Sequence, residues 1–245
     1  MIVAIVQARV GSSRLPGKVL MDLCGESMVE KVMSAASSAS LIDEVVAAIP
    51  VTKEDDALNE ILQRRNLKVF RGSTDDVLDR YYTTALSMGM SNGDHIVRIT
   101  ADCPLMLPSV IDDVVREHQA RGVDYTSNVR PPTYPDGLDV EVFSFESLEK
   151  AAKNALKPSE REHVTPFIFQ NAATTFNLVN HEDLSDVRLT VDHQDDLEFV
   201  REFITRFERV DFQTLRSCVT QIKDIRLHQR NEGYAKSLKE DRNES

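Results

Sequence analysis

Apolar positions along this chain follow two rhythms. Short runs rich in apolar and β-branched residues, at 2–6, 45–49, 67–70 and 95–99, alternate with segments whose apolar residues recur three or four positions apart. The runs have the length and make-up of strands buried on both faces, and the periodic segments read as amphipathic helices. Those helices are expected over 27–38, where Met28, Val29, Val32 and Met33 share a face, and over 55–65. Two more are expected over 75–88, with Val77, Leu78, Tyr81 and Tyr82 together, and over 108–119, where Pro108 suits a first turn. Strands alternating with helices of this length predict right-handed βαβ units and a parallel sheet.

The rhythm loosens after residue 122. A short strand is expected at 124–128, then a proline-rich turn region at 131–137. Residues 138–143 alternate apolar and acidic side chains, which predicts a half-exposed strand. Helices follow to about residue 156 and over 160–170, strands at 174–179 and 188–191, and a helix at 195–207. The charged stretch 231–245 is expected to fray. No internal repeat or interdomain linker interrupts the chain. The expectation is therefore one α/β domain over 1–245, a three-layer α/β/α, Rossmann-like arrangement. Its sheet is mostly parallel, and a β-containing excursion covers about 125–190.

Charge narrows the function. Lys and Arg number 29 against 40 Asp and Glu, a net charge of −11, which argues against a nucleic-acid scaffold because phosphate neutralisation needs clustered cations. Cys24, Cys103 and Cys218 are scattered, which suits a reducing compartment better than a disulfide framework. The apolar start is too short for a signal peptide, and no stretch reaches the roughly 18 apolar residues that a membrane helix needs. A cytoplasmic protein with no nucleic-acid or membrane partner is expected.

Against that acidic background, Arg9, Arg14 and Lys18 gather in the polar loop at 7–18, directly after the first strand. Ligands of parallel sheets bind at the carboxyl ends of strands, where this loop must lie. Gly11 allows close backbone approach, Ser12 and Ser13 add donors, Arg supplies forked contacts and Lys a compact charge, which together suit a triphosphate. The bland alternative is a solvated basic loop. The chain contains neither the Gly-x-x-x-x-Gly-Lys-Ser/Thr loop of the P-loop NTPases nor the Gly-x-Gly-x-x-Gly dinucleotide fingerprint. Two acidic residues fall at strand ends: Asp102 after the fourth run and Asp192 after residues 188–191. Each has a second reading, Asp102 as a turn or capping residue near Pro104 and Asp192 as the N-cap of the following helix.

The segment Ala8-Arg9-Val10-Gly11-Ser12-Ser13-Arg14-Leu15-Pro16-Gly17-Lys18 closely resembles the signature loop of the CMP-sugar synthetases. These are cytidylyltransferases that activate sialic-acid-like and 3-deoxy-octulosonic acids. The resemblance is closer still to the spore-coat polysaccharide biosynthesis branch of the SpsF type. Phe70 to Tyr81, Arg98 to Leu105, Tyr134 to Phe143, Glu160 to Pro166 and Arg230 to Tyr234 also look like that branch, so the likeness covers nearly the whole chain. It implies a nucleotidyltransferase that joins CMP from CTP to a sugar and releases pyrophosphate, with Mg²⁺ held by Asp102 and Asp192. His193-Gln194 departs from the Thr-Pro often found there in the resembled family.

Arg14 and Lys18 are then expected to grip the β- and γ-phosphates, so that Arg14, Lys18 and Asp102 carry the catalysis. Ala8, Arg9, Gly11, Ser12, Ser13, Arg71 and Arg98 are candidates for the rest of the nucleotide. Asp136, Asp139, Glu141, Arg161 and His163 form the expected sugar-facing set. An exposed polar strand face, and a helix histidine without a ligand role, are their bland counterparts. Changing Lys18 to Ala is expected to cut turnover strongly with little effect on folding. The resemblance further implies a homodimer formed through the excursion. Competing readings are a nucleotidyltransferase for sugar phosphates or other NTPs, a glycosyltransferase, and an inactive nucleotide-sugar-binding partner. The first usually opens on a glycine-rich loop, and the second usually shows Asp-x-Asp where this chain has Ala101-Asp102-Cys103.

Overall fold

Val3, Ala4, Ile5 and Val6 have no exposed surface, and the strand they form, β1 (Ile2–Gln7), lies inside the sheet. Its neighbours are β2 (Glu44–Pro50) and β4 (His95–Thr100), both parallel to it, with Ile5 opposite Val46 and Arg98. The computed structural model describes residues 1–207 and 210–220. Strand β3 (Lys68–Gly72) extends the sheet beyond β2, also in parallel. On the other side come β6 (Glu141–Ser144), β5 (Tyr125–Ser127) and β7 (Thr175–Asn177), giving the order β3-β2-β1-β4-β6-β5-β7. Strand β6 runs antiparallel to both of its neighbours, and β7 is parallel to β5.

Because side chains alternate along each strand, β1 feeds two cores. Ala4 and Val6 join Val97 and Ile99 under α1 (Met28–Ser37), α2 (Asp56–Arg64), α4 (Pro108–Arg121) and α8 (Gln194–Arg206). Val3 and Ile5 join Val46 and Ile96 on the opposite face, under α3 (Val77–Ser87), α5 (Phe145–Asn154) and α7 (Thr165–Asn171). The result is the expected three-layer α/β/α sandwich. Local signals set the helix ends. Ser27 and Glu30 form a reciprocal capping box at the start of α1. Pro108 opens α4, and Gly122, at φ 59°, closes it. Two further helices complete the described chain, α6 (Pro158–His163) and α9 (Phe212–Thr220).

Three sequence expectations need correction. Residues 138–143 are not half exposed: Leu138, Val140, Val142 and Phe143 are fully buried, and Glu141 is 4% exposed. The acidic alternation misleads because Glu141 finds internal partners, Arg98 and Tyr125. Residues 188–191 form no strand, only a single bridge between Asp136 and Arg188. The helix expected over 160–170 is two, α6 and α7, broken at Val164, whose φ of 68° cannot continue a helix. No described helix is long and apolar enough to cross a membrane. The stretch 231–245 and the Arg230 to Tyr234 segment lie outside the described residues.

Candidate active site

The parallel strands end along one edge, and there the loop after β1 is tied down by a buried carboxylate. Asp55, 3% exposed, accepts from the Val10 amide at 2.8 Å and from the Thr52 hydroxyl at 2.6 Å. The Ser12 and Gly17 amides both donate back to the Val10 carbonyl, folding 10–17 into a closed turn. Gly17 sits at φ 72°, a conformation that favours glycine. Gly11, expected to be the permissive glycine, has room: an added Cβ meets only Glu54 Oε2 at 3.8 Å.

That closed turn delivers Lys18, at the start of a single 3-10 turn (Lys18–Leu20), into the interior. Its side chain is 9% exposed. Lys18 Nζ donates to Asp102 Oδ2 at 2.9 Å, to the Val191 carbonyl at 2.8 Å and to Asp192 Oδ1 at 3.0 Å. Arg14 Nη2 donates to the same Asp192 oxygen at 2.7 Å, from a side chain that is 43% exposed. The other oxygen, Asp192 Oδ2, accepts from Arg188 Nη2 at 2.7 Å. Backbone ties the two acidic segments together, since the Val191 amide donates to the Asp102 carbonyl at 2.9 Å. Burial is the largest influence on Lys18 and disfavours its ammonium, yet Asp102 and Asp192 together hold its pKa above the ordinary value. Burial likewise pushes Asp102 up, but Lys18 and Thr100 bring its carboxyl below the usual range.

Neither aspartate is a helix cap, although Asp102 does lie in a turn after β4. Asp102 caps no helix, because α4 starts at Pro108 behind Leu107. The N-cap of α8 is His193, and the carboxylate bonding its amide, and that of Asp192, belongs to Asp196. Asp192 is thereby released to face the cations. Arg188 was missed in the sequence because it lies inside an apparent strand. It is 9% exposed and also pairs with Asp196 at 3.6 Å and Asp136 at 3.8 Å.

The remaining candidates divide. Asp136 joins the cluster through Arg188, and both Asp136 and Asp139 lie close enough to Cys103 to add to the upward push that burial gives its thiol. Arg9 is exposed near the loop, and Arg71, at the end of β3, braces Asp56 and the Thr52 carbonyl. Arg98 and Glu141 are paired with each other at 2.6 Å. Arg161 donates to Asp76 and to the Ala152 carbonyl, tying α6 to the start of α3, and His163 ends α6, half-buried. A cavity of about 680 Å³ opens at the opposite, amino edge, lined in part by His95, His118 and Lys150, and contains none of these residues.

A mostly parallel sheet with a basic loop after its first strand, facing an aspartate after its fourth parallel one, places the chain among the α/β nucleotidyltransferases. It belongs to the cytidylyltransferase family, whose sequence pattern matches residues 3–235. The chain is 36% identical to the uncharacterized protein MJ1063 of Methanocaldococcus jannaschii, covering 95% of this chain and 97% of that protein. It is 31% identical to the spore coat polysaccharide biosynthesis protein SpsF of Bacillus subtilis, over 82% of this chain and 85% of SpsF. The solved structure of a cytidylyltransferase from Leptospira borgpetersenii superposes with a TM-score of 0.86 at 28% identity, covering 94% of this chain and 98% of that one.

Proposed function

We propose that this enzyme transfers CMP from CTP to a sugar acid of the nonulosonic or 3-deoxy-octulosonic type, releasing pyrophosphate, for surface polysaccharide or glycan synthesis. The observation that carries this reading is the convergence of Arg14 and Lys18 on Asp102 and Asp192 at the carboxyl edge. Arg14 reaches solvent and can take a phosphate with a forked contact, while Lys18 supplies a compact charge behind it. Together they hold the β- and γ-phosphates and stabilise the departing pyrophosphate, so catalysis is largely positioning and charge neutralisation.

Mg²⁺ fits the donor set, since two carboxylate oxygens and one carbonyl already surround a single cationic position within 2.8–3.0 Å. Asp102 and Asp192 would hold the ion, which would supply charge neutralisation at the α-phosphate and a lower pKa for the attacking hydroxyl. Arg9, Ser12, Ser13 and the Ala8–Gly11 backbone line the nucleotide side, with Arg71 beyond them. Asp136 and Asp139 face the sugar, with Arg161 and His163 at the margin. Arg98 and Glu141 are assigned instead to the interior, where they hold β4 to β6.

The test is pyrophosphate release from each NTP with Mg²⁺ across a panel of sugar acids and sugar phosphates. Release confined to CTP with a sugar acid is expected. Release only with hexose 1-phosphates would transfer the chain to sugar-phosphate activation, and nucleotide binding without release would make it an inactive partner. The homodimer belongs to the same proposal. Light scattering should give twice the 27.6 kDa chain mass.

A further inference from the structure

We infer that Lys18 is the resident cation of the metal position, so that the divalent ion is admitted only when nucleotide draws Lys18 away. The inference rests on the reading of Asp102 and Asp192 as the metal pair. Its starting point is geometric. The ammonium sits among Asp102 Oδ2, Asp192 Oδ1 and the Val191 carbonyl, the hard oxygen set that a divalent cation takes. A second cation brought to the same oxygens meets the positive charge of Lys18 at contact range, in a region where water screens little.

The two oxygens of Asp192 have separate partners. Oδ2 is held by Arg188, which is 9% exposed and further anchored by Asp136 and Asp196. Oδ1 accepts from two cations of the cleft, Lys18 and the solvent-reaching Arg14. Those two residues are the ones assigned to the phosphates. A triphosphate that takes both therefore withdraws their positive charge from Asp192 Oδ1 and Asp102 Oδ2 together, while Arg188 keeps the carboxylate aimed. Lys18 can move its head on a four-carbon stem without moving the backbone turn that carries it. Metal and nucleotide then raise each other's affinity by the same factor, as linkage requires.

The experiment uses the full chain without nucleotide and Mn²⁺ as the probe, with free Mn²⁺ measured by electron paramagnetic resonance. The wild-type chain should bind weakly. Lys18→Met should bind at least about tenfold more tightly, within the usual range of coupling between sites. Asp102→Asn added to Lys18→Met should cancel the gain, and Lys18→Arg, which keeps the charge, should show none. Removing the ammonium leaves two carboxylates facing each other, so the melting temperature of Lys18→Met should also climb with Mn²⁺ more steeply than that of the wild type. If Lys18→Met does not fold, Lys18→Gln carries both measurements. No gain in Mn²⁺ affinity and no metal-dependent melting in either variant overturns the inference. A gain alongside wild-type protein that releases no pyrophosphate keeps the role of Lys18 and removes the proposed reaction. Release without any gain does the reverse.

Discussion

Arg14 and Lys18 stand four positions apart in one loop, and their surroundings make them respond differently to the same change. Arg14 is 43% exposed, so Arg14→Ala should lower turnover by about 100-fold, the scale of losing one preorganised charge partner, and leave melting nearly unchanged. Lys18 is 9% exposed between two carboxylates. Its removal takes the ammonium from Asp102 and leaves Asp192 to Arg14 and Arg188, a loss of up to about 3 kcal/mol, so Lys18→Ala should damage stability as well as turnover. The expectation of an intact fold is corrected on that ground. Gly137 offers a second test at this scale. It sits at φ 109°, and a Cβ there would meet the Thr190 amide nitrogen at 2.8 Å and the Leu189 carbonyl carbon at 2.9 Å. Both contacts are backbone and cannot swing aside. Gly137→Ala should cost more than about 2 kcal/mol in urea unfolding and displace the segment that carries Asp192.

Between elements, the pair Arg98–Glu141 does for β4 and β6 what apolar contacts do elsewhere in the sheet. The two residues face each other in the register, and Tyr125 from β5 donates its hydroxyl to the same carboxylate. Burial pushes Glu141 up, while Arg98, Arg130, Tyr125 and Thr165 bring it below the ordinary carboxylate range. Glu141→Ala should therefore cost about 3 kcal/mol, because it strands the Arg98 charge in the interior, whereas joint replacement of Arg98 and Glu141 by apolar residues should cost less. Chemical unfolding of the single and double variants measures the difference. The strand was legible in the sequence as a strand. Its environment was not, because alternation of apolar and acidic residues is the signature of a sheet with one wet face, and here both faces are covered.

For the whole molecule, pH is a sharper lever than charge number. His118 on α4 is buried against Thr126 and His95, and burial, with His95 adding to it, lowers its pKa from 6.5 to about 4. Between those values the unfolded chain carries the proton and the folded chain does not. Stability from this group is complete above about pH 6.5 and is lost as pH falls towards 4, by about 3 kcal/mol at most. His118→Gln should flatten the melting-temperature profile across that window; an unchanged slope would assign the acid sensitivity to other groups. Within a net charge of −11, Arg14, Lys18 and Arg188 are gathered at one edge of the sheet, where each meets Asp192.

The alternation of strands and helices through the first half, the basic loop after β1 and the family were readable from the chain, because periodicity and turn chemistry act over a few neighbouring residues. The partners were not. Lys18 meets Asp102 and Asp192 across 84 and 174 positions, and Arg14 meets Asp192 across 178. Arg188 looked like part of a strand until Asp136 and Asp192 closed around it. Which buried charge faces which is fixed only when separate segments pack, since the cost of leaving a charge unpaired exists only once water has been excluded.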